Sequence, residues 1–187
     1  MKKHMLAAAA LLASGSAMAQ VYLGGGLGPT SFDIECAGTQ HCDTADSGYK
    51  IYGGYSFGNG LAVEANYLDF GKASATVPLS SSASASVELR TTAIGVGVAA
   101  SGNFTSWLSG TARLGVSQNK VRAKVWTFGT QVGSDSENKT AAYYGLALGF
   151  RVAPGISFTA AADFTPFERN GESFNARMFS IGMNQQF

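Results

Sequence analysis

Eight segments of this chain, each on the order of ten residues or more, alternate apolar with small or polar side chains, and the breaks between them are in turn long and short. The segments are Val21–Phe32, Tyr49–Phe57, Leu61–Phe70, Val87–Ala100, Trp107–Trp126, Ala141–Val152, Ile156–Phe167 and Phe174–Phe187. Successive side chains of a strand point to opposite faces, so a period of two marks sheet. Between Ala141 and Val152 one face carries Ala142, Tyr144, Leu146, Leu148, Phe150 and Val152; the other carries Tyr143, Gly145, Ala147, Gly149 and Arg151. Between Ile156 and Thr165, Ile156, Phe158, Ala160, Ala162 and Phe164 oppose Ser157, Thr159, Ala161, Asp163 and Thr165. Gly58-Asn59-Gly60, residues 101–106 and Pro154-Gly155 give short turns. Residues 33–48, 71–86 and 127–140 give long polar connections, and RNGES a medium one.

An even-stranded meander with short turns at one end and long loops at the other is the pattern of an outer-membrane barrel. Composition agrees. Charged residues are 13% of the chain, about half the usual ~25%, so something other than charge must face the surroundings. Every apolar run is broken too soon for a helix to cross a bilayer. A bilayer leaves no water for unpaired backbone groups, so such a chain spans it only as a closed sheet. The expected fold is all-β, an eight-stranded antiparallel up-and-down transmembrane β-barrel with apolar faces toward lipid and small or polar faces inward. Gly95, Gly97, Gly145, Gly149 and Gly182 fall on the inward faces. The competing arrangement, a soluble sandwich or lipocalin-like barrel, would turn the apolar faces to a shared core.

The first residues, MKKHMLAAAALLASGSAMAQ, place Lys2 and Lys3 before an apolar run and then Ala17-Met18-Ala19. That order reads as a secretory signal peptide over residues 1–19, cut between Ala19 and Gln20, with the barrel domain at 20–187. Loss of Lys2 and Lys3 takes Lys+Arg from 13 to 11 against 12 acidic residues, a formal charge of −1. No basic patch then argues for nucleic acid.

The run GYKIYGGYSFGNGLAVEANYLDFGKA, from Gly48, resembles the second and third strands of the OmpA-like outer-membrane β-barrel domain family, and SWLSGTARLGVS resembles its fifth. The resemblance spans about Val21 to Phe187. It implies an eight-stranded barrel in the bacterial outer membrane, without the peptidoglycan-binding domain of longer members. The last strand alternates Phe179, Ile181 and Met183 and ends on Phe187, which resembles the signal read by the barrel-assembly machinery; Gln185 departs from the pattern.

Several residues are candidates for specific roles. Cys36 and Cys42, in CAGTQHC, fall in the first long loop of a chain passing an oxidising compartment, so a disulfide is expected. A metal site with His41 is the sharper alternative, but its spacing fits no common zinc pattern. Glu64, Arg113, Arg151, Asp163 and, less firmly placed, Lys50 lie on inward faces, since Arg or Lys facing lipid near the midplane would cost about 2–4 kcal/mol. They are expected to pair as a lumen charge network, either a fixed plug or, at Glu64 and Arg113, a rearrangeable pair gating a small water path. After processing His41 is the one histidine left and is placed in a loop, so no nucleophile and base are expected to meet on a strand; no catalytic, cofactor or metal site is assigned. The Ser/Ala run from Ser80 to Ser86 reads as a flexible surface loop.

The expected role is structural and interactive: membrane integrity, with loops offered to host surface ligands or phage. The alternative is a narrow porin-like channel for ions or small polar solutes. Expected partners are outer-membrane lipid, lipopolysaccharide and, during biogenesis, the barrel-assembly machinery.

Overall fold

The alternation becomes one continuous sheet closed on itself. The computed structural model describes residues 21–33, 41–80, 83–127, 130–169 and 172–187. The signal-peptide reading, with Ala19 and Gln20, lies outside the described residues, as does Cys36. The strands are β1 (Val21–Phe32), β2 (His41–Asp43), β3 (Ala45–Ser56), β4 (Leu61–Ser80), β5 (Ala83–Asn103), β6 (Leu108–Thr127), β7 (Thr130–Ala153), β8 (Ile156–Arg169) and β9 (Glu172–Gln186). All but β2 form the barrel, eight antiparallel strands each paired with its neighbours in sequence, and β1 against β9 closes the ring. The short β2 pairs with the upper part of β4, His41 opposite Thr76.

Two expected loops are not loops. Residues 71–80 and 83–86, expected within a long Ser/Ala-rich connection whose Ser80–Ser86 run reads as flexible, continue β4 and β5 as a ribbon paired from Gly71↔Thr91 to Ser80↔Ala83. Residues 130–140 likewise continue β7 along β6. Ser and Ala are poor strand formers in isolation, but the barrel below has already fixed the register. Each further pair then satisfies two backbone groups while ordering only local chain. The ladder changes phase twice, at Pro78/Ser80 and at Asp69/Gly71. Gly71 takes φ +78 there, a conformation that other residues adopt only under strain. Its N–H donates to Asp69 Oδ1 at 2.9 Å.

The two faces behave oppositely. Leu27, Ile94, Leu114, Leu146 and Ile181 point outward, each more than half exposed. So many contiguous apolar side chains on an outer surface belong against lipid. Aromatic rings border the band: Tyr49 packs on Tyr67 and Tyr144 stacks on Phe164 at one edge, while Tyr55 meets Phe57 and Trp107 stacks on Phe150 at the other. These are the paired girdles of a transmembrane barrel. Inside, Gly97 stands opposite Gly115, and a Cβ on Gly115 would lie 2.8 Å from the Gly97 Cα. Neighbouring strands therefore approach there as only glycine permits.

Candidate functional site

The lumen gathers buried polar chemistry, and it is filled in layers from the turn end upward. At the turn end a cavity of about 410 Å³ opens between the short turns, lined among others by Tyr22, Ser109, Arg113, Arg151, Asn184 and Gln186. Its inner wall is an ion pair: Arg113 on β6 donates from Nε to Glu64 Oε1 at 2.8 Å and to Oε2 at 3.1 Å, and the Tyr22 hydroxyl donates to Glu64 Oε2 at 3.0 Å. The Arg113 guanidinium lies over the Tyr52 ring, 4.7 Å from its centroid. Lys50 Nζ lies on the same ring at 5.5 Å and forms the second ion pair, with Asp163. Asp163 also accepts from the Tyr143 hydroxyl at 2.7 Å. All four charged side chains are buried.

A neutral layer follows. Asn119 Nδ2 donates to Thr165 Oγ1 at 2.8 Å and to the Pro166 carbonyl at 2.6 Å, while Ser117 Oγ donates to Asn119 Oδ1 at 2.7 Å. Above it the lumen turns mainly apolar, with Thr30 and Thr91 as buried polar side chains at the same level. Leu68, Phe70, Val121, Phe167 and Met178 are at most 1% exposed and fill the lumen together. Phe70 and Phe167 meet edge to face at 5.6 Å, and Phe167 stacks on Phe174 at 5.7 Å. This is a packed hydrophobic core built inside a barrel whose main apolar face points outward.

Three of the four expected network residues, Glu64, Arg113 and Asp163, come together, with Lys50 as the fourth charge. Arg151 does not join them, which corrects the expected network. It is exposed at the turn end and donates to the Ser106 carbonyl at 3.3 Å. Its inward parity is right, but it stands twelve residues from Asp163 near the Pro154-Gly155 turn, at the mouth of the lumen. Phe179, Ile181, Met183 and Phe187 all face outward, and the Phe187 N–H donates to the Val21 carbonyl at 2.9 Å. Cys42 sits in β2 and is not a free thiol. Among the described residues no group of three His, Cys, Asp or Glu side chains is placed to hold a metal. Sequence reading missed the partners Tyr22, Tyr52 and Tyr143 and the whole apolar plug. The signal for the plug was available: Leu68 and Phe70 share the parity of Glu64, and Phe167 shares that of Asp163.

The sequence profile of the outer membrane protein beta-barrel domain family matches residues 5–187. The chain belongs to that family. The barrel is therefore a protein of the bacterial outer membrane, and the short-turn end is the periplasmic one, the ribbon end extracellular. Among solved structures, it is similar to Ail, the attachment invasion locus protein of Yersinia pestis, at 18% identity and a TM-score of 0.56, covering 91% of this chain and 100% of that one. Neisserial surface protein A aligns at 15% identity and a TM-score of 0.57, covering 89% and 97%. OprG of Pseudomonas aeruginosa aligns at 10% identity and a TM-score of 0.53, covering 90% and 96%. At these identities the likeness is one of fold. No curated protein matches the chain significantly.

Proposed function

We propose that the barrel is a closed, non-enzymatic element of the outer membrane whose working surface is extracellular: it contributes to membrane integrity and presents its ribbons for contact with host surface ligands or phage. The observation that carries this reading is the apolar plug, with Leu68, Phe70 and Met178 each 0% exposed at the extracellular side of the lumen. Ions do not cross a dry aromatic constriction readily, because nothing in it replaces their hydration. Meanwhile the β4–β5 and β6–β7 ribbons carry strand pairing well beyond the apolar band. Ail has been solved in complex with the heparin analogue sucrose octasulfate. Anionic sugars are accordingly one ligand class to test on these ribbons.

The test is conductance of the folded barrel in a planar bilayer. Silence is expected; reproducible discrete steps from the wild type would replace this reading with the narrow channel. The periplasmic cavity of about 410 Å³ favours that second reading, since it already leads water as far as Arg113.

Three subsidiary assignments complete the proposal. Residues 1–19 act as the cleaved signal peptide. Cys36 and Cys42 form a disulfide, for which two thiols alkylated without reductant would be the contrary result. Phe179, Ile181, Met183 and Phe187 act as the assembly signal, so deletion of Phe187 is expected to lower the folded barrel recovered from outer-membrane fractions.

A further inference from the structure

The outward face of the barrel changes character abruptly on one side. On β6 it reads Leu114 and Val116, then Gln118, Lys120, Arg122 and Lys124, while Val121 and Ala123 between them are buried. On β5 the same face reads Val96 and Ile94, then Thr92 and Arg90, and on β4 it carries Lys72 above the Gly71 irregularity. The register sets these cations side by side. Lys72 is directly opposite Arg90, Arg90 is directly opposite Arg122, and Lys120 and Lys124 flank Arg122 on its own strand.

Like charges facing each other across a ladder are destabilising unless something neutralises them. The local carboxylates do so only in part. Glu88 bonds Lys72 at 3.1 Å, and Asp69, itself buried, bonds Arg90 at 2.6 Å. On the other flank, β7 places Asn138, Ser136 and Ser134 opposite Lys120, Arg122 and Lys124, none of them an acid. Among the described residues, five cations thus meet two carboxylates on one continuous outward face. At comparable height on the outward face of β9 stands a single cation, Arg177, with Asp33 at 3.6 Å.

Position identifies the partner. Lys120 is four residues beyond Val116, where the continuous apolar band ends on that face. At ~3.3 Å per residue and a tilt of ~40°, four residues rise roughly 10 Å. That is the headgroup layer of the leaflet the apolar band occupies, where phosphate groups stand laterally beside the strands. We propose that Lys72, Arg90, Lys120, Arg122 and Lys124 form a binding site for the phosphate groups of the anionic glycolipid of the outer leaflet. The inference rests on the outer-membrane placement and gives the lipopolysaccharide contact expected from the sequence a location and a chemistry. Arg90 and Arg122 supply planar, multidentate donors for phosphate oxygens, and the lysines add point charges around them.

The test uses the folded, full barrel in zwitterionic micelles, titrated with diphosphorylated lipid A and with the same glycolipid stripped of phosphate. Binding is followed through Trp126, which lies on this face two residues past Lys124. The wild type is expected to prefer the phosphorylated lipid by about tenfold or more at low salt, with the preference shrinking as salt rises. The variant Lys120→Gln/Arg122→Gln/Lys124→Gln is expected to lose the preference while still migrating as a folded barrel in unheated gels. Lys139→Gln, which removes a cation that pairs with Glu168 and is not one of the five, is expected to keep it. A wild type without preference, a preference insensitive to salt, or a preference surviving in the folded triple variant would each overturn the proposal. So would displacement of the phosphorylated lipid by a soluble sulfated sugar, which would assign the face to a partner arriving from water. The salt titration decides the matter on the wild type alone should the triple variant not fold. A barrel that is silent in conductance yet indifferent to lipid phosphate would sink this inference and leave the closed-barrel reading standing.

Discussion

The two halves of the lumen solve the same problem, filling a narrow barrel, with opposite chemistry. The periplasmic half holds two ion pairs around Tyr52 and opens to a wet cavity; the extracellular half is a dry aromatic core around Phe70 and Phe167. Charge in the first half is tolerated because each group finds a partner, and the hydroxyls of Tyr22 and Tyr143 complete the shells of Glu64 and Asp163. The second half needs no pairing and gains from close packing instead. The difference teaches where the barrier to flow lies: an ion pair can rearrange, whereas a packed aromatic layer must be emptied.

Breaking the contrast should be most costly where the charge is deepest. Asp163→Ala strands Lys50 in the lumen and is expected to destabilise the barrel by about 3–5 kcal/mol in urea unfolding from micelles. Replacing both partners, Lys50→Met with Asp163→Leu, should recover most of that loss, because the cost is that of an unpaired charge. Phe167→Ala in the plug is expected to cost about 3–4 kcal/mol. Combined with Phe70→Ala, it should also produce conductance steps in planar bilayers where the wild type has none. If Glu64→Gln conducts and the Phe70/Phe167 pair does not, the ion pair is the barrier and the ranking of the two halves is reversed.

Glu64→Gln itself is expected to cost about 2 kcal/mol, less than the Asp163 change. Gln can still accept from Arg113, and the guanidinium borders the periplasmic cavity. The smallest effect should come from Arg151→Ser, within about 0.5 kcal/mol, as for an exposed group bonded only to a turn carbonyl. A large loss there would return Arg151 to the network from which its position removes it.

Much of this was readable along the chain. The faces of β7 and β8 were assigned correctly residue by residue, and the inward parity of Glu64, Arg113 and Asp163 followed from the cost of turning charge to lipid. The extent of the ribbons was not readable. Residues 71–80 and 83–86 are mostly Gly, Ser and Ala, and their strand form comes from a register imposed by the barrel below. The plug was missed for a related reason. Phe70 and Phe167 stand near the ends of their apolar runs, where an aromatic reads equally well as a girdle residue.

By itself, the sequence determined the period, the number of barrel strands, the two faces and the direction in which the closed sheet must be solvated. Those properties are local, since a side chain's face depends only on its place in its own strand. Tertiary structure alone decided which inward groups meet: Glu64 with Arg113 across 49 residues, and Lys50 with Asp163 across 113. Such meetings depend on strand tilt and on the stagger that closes the ring, and these are set by all the strands together.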